Sequence, residues 1–366
     1  MNDPELLSVL ALQNAPNLGD STAKKLIRHF GSAEAIFKEK LTNLLKIDGI
    51  GKLRVEGLFD AKRFKAAEAE LTYIQKNKID HHYFQEPSYP EKLKHCIDGP
   101  ILLFSKGNIN LKDKKVLSIV GTRKITSSGI EFCEKLIEEL SPLDPVIVSG
   151  FAYGVDITAH RAAVKNQLQT IGCLAHGLNQ IYPRSHARYT SQIEENGGFF
   201  TDFWSSDSFD RNNFLKRNRI IAGLSEATVI IESANKGGSL VTADIANSYD
   251  REVFAVPGRP SDLQSVGCLN LIKSQNAHVL TSAADLIYVL NWELNSKGKE
   301  IQKQLFIELE SQEQVVYDFL QGKGKQQLDH IAINCKIPTF KAAGILLEME
   351  LKGAIRPLPG KLFEVI

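Results

Sequence analysis

"KVLSIVGTRKITSSG", residues 115–129, reads as a buried strand, a tight turn and a helix start. The run from Val116 to Val120 is apolar on both faces, which suits a strand covered on two sides rather than one washed by water. Gly121 permits a sharp turn, and Thr126, Ser127 and Ser128 supply capping hydroxyls. The turn lacks the G-x-G-x-x-G of a dinucleotide site and the G-K-[ST] of a P-loop, and carries Arg123 instead. Six further apolar runs follow: "PVIVS", "QTIGCL", "GGFFTDF", "ATVIIE", "EVFAV" and "AHVL". Helix-length segments separate them. Short strands alternating with helices predict a parallel, doubly wound α/β sheet over residues 114–290, with ligands expected at the carboxyl ends of the strands.

The rest of the chain sets limits. It has 366 residues, more than one core usually accommodates, so two or three domains are expected. The net charge of +1 shows no global basic signature, so any nucleic-acid contact must come from a local basic face. Five cysteines (Cys96, Cys133, Cys173, Cys268 and Cys335) lie apart with no C-x-x-C pair. That pattern argues against a disulfide framework or a zinc site and for a reducing compartment. The acidic start and the lack of a membrane-length apolar run predict a cytoplasmic protein without a membrane partner.

Residues 1–75 predict a small helical domain of the helix-hairpin-helix or SAM-like kind, with Leu6, Leu7, Val9, Leu10, Leu12, Ala23, Leu26, Ile27 and Phe30 at helical spacing. "IDGIGK" (47–52) resembles the hairpin of such a motif. It reads either as a phosphate contact or as a structural turn. Residues 80–112, with Pro87, Pro90 and Pro100, read as an irregular entry segment, and His81 and His82 as surface residues. Residues 292–308 read as a linker. Residues 309–366 predict three helices and a hairpin, a winged-helix layout whose last helix reads DNA, docks a partner or is merely structural.

Five strand-end loops carry candidate chemistry. Gly121, Thr122 and Arg123 offer close approach, a hydroxyl and a bidentate fork for a phosphate, with the following helix dipole in support. "VSGFAYGVDITAH" (148–160) brings Ser149 and Gly150, with Asp156 and His160 as either an acid–base dyad or a buried core pair. "IGCLAHGLNQIYPRSH" (171–186) brings Gly177, Asn179, Pro183, Arg184 and His186. "FDRNNFLKRNRIIAGLS" (209–225) is the densest basic stretch, with Arg211, Lys216, Arg217 and Arg219 around Phe214, which suits a nucleic-acid backbone and a stacked base. "ESANKGGSLVTADIA" (232–246) offers Lys236, Gly237, Gly238, Ser239 and Thr242 as an anion nest. No metal motif and no nucleophile–base pair emerges, so no cofactor or metal is expected and binding is favoured over turnover.

"VGTR", "VSGFAYGVDITAHRAAV", "GLNQIYPRSH", "FLKRNRIIAGLS", "GGSLVTADIA" and "VFAVPGRP", in this order, resemble the DNA-processing protein A (DprA, or Smf) family over residues 80–290. The resemblance implies an extended Rossmann-like sheet that dimerises, and a bacterial mediator of natural transformation. Such a protein binds incoming single-stranded DNA, relieves the block from single-strand-binding protein and loads RecA recombinase. Carried over by motif, the DNA site comprises Gly121, Thr122, Arg123, Ser149, Gly150, Phe151, Phe214, Arg217, Asn218, Arg219, Lys236, Gly238, Ser239 and Thr242. Departures occur at Gly237-Gly238-Ser239-Leu240, at Gly267-Cys268-Leu269-Asn270 and at Asn276-Ala277, where the family has S-G-S-L, G-T-N and a glycine–alanine pair. The alternative is a nucleotide sensor or phosphoribohydrolase-like enzyme on the same sheet. That class uses a P-G-G-x-G-T-x-x-E loop, which K-G-G-S-L-V-T-A-D does not reproduce.

Overall fold

The computed structural model describes residues 1–55, 57–292, 309–352, 354–358 and 362–365. The chain divides into two compact units, residues 1–294 and 295–366. In the first, helices α1 (Asp3–Gln13), α2 (Asp20–Phe30), α3 (Ala33–Lys38), α4 (Leu41–Leu44), α5 (Lys52–Val55) and α6 (Ala61–Asn77) lead into β1 (Asp80–Tyr83), α7 (Glu91–Lys94) and β2 (Leu102–Gly107). The alternating part follows: β3 (Val116–Val120), α8 (Ser127–Leu140), β4 (Val146–Ser149), α9 (Val155–Lys165), β5 (Thr170–Cys173), α10 (Thr190–Glu195), β6 (Gly197–Thr201), α11 (Arg211–Leu224), β7 (Ala227–Ile230), α12 (Gly238–Ser248), β8 (Glu252–Ala255), α13 (Val266–Lys273), β9 (His278–Val279) and α14 (Ala283–Val289).

The strands form one sheet in the order β1-β2-β6-β5-β4-β3-β7-β8-β9. All seven apolar runs read from the sequence are strands in it, parallel from β6 to β9. The opening stretch supplies its centre. Along β3, Leu117 and Ile119 enter the core on one face and Val116 and Val120 the core on the other. That is the two-residue period of a strand buried on both sides. Truncating Leu117, which is fully buried, to alanine is expected to cost about 2–5 kcal/mol. The chain steps from β3 to β4 on one side, then returns to place β7 on the other side of β3. The loops after β3 and β7 therefore part at a topological switch point, where open α/β sheets form a crevice.

The segment expected to be irregular instead adds two strands. β1 pairs antiparallel with β2, and β2 antiparallel with β6. Its prolines sit between the strands, outside the hydrogen-bonded ladder. His82 is not a surface residue: it is half-buried, opposite Leu103, with Nε2 2.8 Å from the Ser105 hydroxyl. Trp292, expected to begin the linker, belongs to the sheet unit. It is buried and its indole donates to Glu226 at 3.0 Å. The remainder of that linker lies outside the described residues. The helical segment shares one apolar core with the sheet, which runs from Leu6 through Leu102 to Leu271. Polar ties reinforce the join. Glu70 accepts from the Ser205 amide at 2.9 Å and from its hydroxyl, and the Trp204 indole donates to Gln13 at 2.9 Å.

The second unit contains α15 (Ser311–Lys323), β10 (Gln326–Gln327), α16 (Leu328–Asn334), α17 (Thr339–Leu351), β11 (Ile355–Leu358) and β12 (Leu362–Val365). It has the three helices and hairpin expected, with β10 added to the wing. Its own small core includes Val316, Leu320, Ile331, Leu346 and Met349. Glu313 is buried beneath it and accepts from Lys352 at 2.6 Å.

Candidate nucleic-acid interface

Three strand-end loops lock together through their backbones. A Cβ on Gly121 would sit 2.5 Å from Val155 Cγ2 and 2.9 Å from the Glu232 carbonyl oxygen, so no side chain fits there. The Thr122 amide donates to that carbonyl at 2.7 Å, and the Val155 amide donates to the Thr122 carbonyl at 3.1 Å. Gly154 has φ +78°, and a Cβ there would lie 2.2 Å from the Thr122 carbonyl oxygen. This packing fixes the turn and leaves the Arg123 side chain exposed. Its guanidinium lies 5.1 Å from the centroid of the Phe214 ring.

The helix start after this turn already holds an internal anion. Thr126 caps α8 by accepting from the Gly129 amide at 3.1 Å. Its own amide donates to Glu232 at 2.9 Å, and its hydroxyl donates to the same carboxylate at 2.5 Å. A Cβ on Gly129 would lie 2.6 Å from that carboxyl carbon. Glu232 thus occupies the positive end of α8, where an anion is favoured. The expected help from the α8 dipole to a bound phosphate is corrected accordingly.

Helix α11 builds the facing wall. Asp210 caps it by accepting from the Asn212 amide at 2.7 Å. Phe214 joins Tyr182 and Phe209 in an aromatic cluster, with ring centroids 4.6–5.9 Å apart. Tyr182 is 40% and Phe209 46% exposed, an unusual allowance for rings that could have been buried. Beneath them Arg217 is only 4% exposed and donates to the carbonyls of Gly150 and Cys173. Asp156 is buried beside it, accepting from the Ala152 amide at 3.2 Å. Burial pushes the Asp156 carboxyl above its usual range while Arg217 pulls it back. Gly150 is wedged between the two. A Cβ there would lie 2.5 Å from Asp156 Oδ2 and 2.7 Å from both Arg217 terminal nitrogens.

The third wall is the turn into α12. Asn218 donates to the Gly238 carbonyl at 3.2 Å, Thr242 back-bonds to the same carbonyl at 3.3 Å, and Ser239 donates to Ser233 at 3.0 Å. Lys236 is exposed, and a Cβ on Gly238 would meet nothing within 4 Å. The loops and helices together enclose a cavity of about 650 Å³ at the switch point. Among the described residues, Arg123, Arg211, Lys216 and Lys236 make no ion pair with a carboxylate, so their charge is available to an anion.

Ten residues expected from the sequence line this cavity: Gly121, Thr122, Arg123, Phe214, Arg217, Asn218, Lys236, Gly238, Ser239 and Thr242. The other four do not. Ser149 is fully buried and donates to the Ile119 carbonyl at 2.6 Å. Phe151 is fully buried with Leu174, Ile193 and Phe199. Gly150 acts from underneath. Arg219 points to the opposite side of α11, where it binds Asp20 at 3.0 Å, Asp202 and the Asp98 carbonyl. Residues 217 and 219 are about 200° apart on a helix, so the two arginines cannot serve one face. Asp156 and His160 form no dyad. The His160 Nδ1 pairs with Thr170 at 2.7 Å, and burial pushes its pKa down to about 3, so the ring is neutral. The sequence reading missed Tyr182 and Phe209. Phe209 begins the basic run, which was the available signal for it; Tyr182 lies in a separate loop and had none. Arg184 lies beyond them, in an adjoining concavity that shares both rings. No cluster of metal-ligating side chains occurs among the described residues.

The family model described as DNA recombination-mediator protein A matches residues 80–291, the whole stretch that builds this cavity. The chain belongs to that family. A second model, described as the DprA winged helix domain, matches residues 304–361. Protein Smf of Escherichia coli is 32% identical over 316 residues, covering 83% of each chain. The DNA processing protein DprA of Streptococcus pneumoniae is 32% identical over 266 residues, or 73% of this chain and 93% of that one. The crystal structure of that pneumococcal protein superimposes with a TM-score of 0.68 at 29% identity, covering 78% of this chain and 98% of the other. A Helicobacter pylori DprA structure, described for its single-stranded DNA binding mode, gives a TM-score of 0.53 at 27% identity over 58% of this chain and 96% of that one.

Proposed function

We propose that the switch-point cavity and its aromatic rim hold single-stranded DNA, and that the chain acts as a recombination mediator. In this role it protects incoming DNA, displaces single-strand-binding protein and loads RecA recombinase during natural transformation, as a homodimer in the cytoplasm. One observation carries the reading. Arg123 stands without an ion-pair partner, stacked on Phe214, beside two further exposed rings. Unpaired cations catch the phosphates, and sequence-tolerant ring faces hold bases that are not stacked in a duplex. A duplex hides its base faces and gains nothing from such rings.

The strand-binding function of the Helicobacter relative supports the reading. The test is titration of the full chain with oligo-dT and with a duplex of equal length at two salt concentrations. Tight, salt-sensitive and strand-selective binding is expected. The second part of the proposal is tested by RecA strand exchange on DNA pre-coated with single-strand-binding protein, where the chain should remove the lag. Equal affinity for duplex and single strand, or release of free base from a nucleoside monophosphate, would refute the reading.

A further inference from the structure

Helix α17 buries Ala342, Leu346 and Met349 against its own unit. Its opposite side is also apolar but open. Phe340 is 77% exposed and Leu347 57%, with exposed Ala343 and Gly344 between them. Positions 340, 343, 344 and 347 form one continuous helical stripe. Gly344 meets nothing within 4 Å. A glycine inside a helix is unfavourable relative to alanine, and nothing inside this unit calls for the missing side chain. Small residues in the centre of a stripe let a second helix come close.

The charges along the stripe suggest which helix. Lys341 and Glu348 lie on the same edge of it, one near each end; neither makes a salt bridge among the described residues, and Glu348 also feels the charge of Lys352 one turn on. They are seven residues apart, roughly 10 Å along the axis, too far to pair within the helix. A groove-reading helix needs cations where this one presents Phe340, Leu347, Glu348 and Glu350, so nucleic acid is a poor occupant.

We propose that this face joins two copies of the chain, with α17 packed antiparallel on α17 across a two-fold axis at Ala343–Gly344. In that arrangement Phe340 of one copy lies beside Leu347 of the other. Lys341 meets Glu348 of the other copy, and the symmetry makes each such contact twice. The surface is self-complementary in both shape and charge. One helix face covers well under the roughly 800 Å² per partner of a standard interface. The contact is therefore weak alone and effective between chains already held close, as neighbours on one strand are. Only that last role rests on the proposed DNA binding.

The test uses the full chain with Cys335→Ser, so that the half-exposed native thiol does not interfere, and with Gly344→Cys. A disulfide requires Cα atoms about 4.4–6.8 Å apart, a separation that helices crossing at this residue reach. Mild oxidation should give a covalent dimer, while a control cysteine at Gln321 on α15 should not. Adding Lys341→Glu should cut the cross-linking rate several-fold, and adding Glu348→Lys to that variant should restore it. Absence of the 344–344 disulfide overturns the proposal. So does a rate indifferent to Lys341→Glu, or one that the charge swap fails to restore. None of these readouts depends on DNA, so the proposal can fail while strand binding stands, and the reverse.

Discussion

Replacing Arg123 with alanine should separate a phosphate clamp from a structural arginine. The side chain is exposed, makes no ion pair among the described residues and touches the protein mainly through the Phe214 ring. Stability should therefore change by no more than about 0.5 kcal/mol, the usual limit for surface substitutions. A charged hydrogen bond to phosphate is worth about 1.5–3 kcal/mol. Its loss should weaken single-strand binding roughly 10- to 150-fold at low salt. The salt dependence gives an independent check. Each neutralised phosphate on a single strand contributes a slope of ~0.7 to log K against log salt, so the slope should become shallower by about that amount. Because phosphate contacts carry no base information, oligo-dT, oligo-dC and mixed sequences should lose affinity alike. Fluorescence anisotropy with labelled oligonucleotides from 50 to 300 mM salt, alongside thermal unfolding, measures all three quantities. Unchanged affinity and slope in a folded variant would refute the assignment of Arg123 to the strand.

Gly150→Ala drives a methyl into Asp156 and Arg217 and should cost about 1–3 kcal/mol in urea unfolding; a neutral result would show that the pair beneath the cavity can yield. Asp20→Asn removes one carboxylate from buried Arg219 and should lower stability by about 1–3 kcal/mol. It should leave the salt slope of DNA binding unchanged, because Arg219 faces the helical segment and not the cavity. His160 is held neutral, with its pKa pushed down to about 3, so the stability it contributes is complete above its unfolded value near 6.5 and declines as pH falls below that. From pH 6.5 to 5 that amounts to about 2 kcal/mol, and His160→Gln should flatten the pH dependence of urea unfolding by a similar amount; an equally steep dependence would count against the buried neutral ring. Deleting residues 309–366 removes a unit with its own core, so oligo-dT affinity should stay within about three-fold. A collapse in affinity would place part of the strand on the winged helix.

The parallel sheet was legible because strands buried on both faces leave continuous apolar runs, as Val116–Val120 and Ala227–Ile230 do. β1 and β2 were harder to read. Asp80–Tyr83 is half polar and sits on the sheet edge, and the prolines around it mimic a loop. Loop motifs correctly located the cavity, since glycines such as Gly121 and Gly154 mark where backbones must touch. The direction of a side chain on a helix was less legible. Arg217 and Arg219 look equivalent in a basic run, yet two residues of helical rotation send one beneath the cavity and the other into a cluster of aspartates. The exposed rings were missed for a related reason. Tyr182 and Phe209 belong to separate loops, and only the tertiary fold brings them to Phe214.

The carboxylate of Glu232, fixed on the start of α8, also shapes which molecules can compete for the crevice. In nucleotide-binding sheets the corresponding helix end is a ready-made seat for a phosphate. Here a carboxylate of the protein already sits there. A soluble nucleotide arriving from the metabolite pool loses that helix end and is left with side chains such as Arg123 and Lys236 and with the turn into α12, each a modest grip. A polymer engages many such grips at once, and their free energies accumulate along its length. On the proposed reading, the internal carboxylate thus insulates the site from abundant small anions and leaves it responsive to the rarer long one.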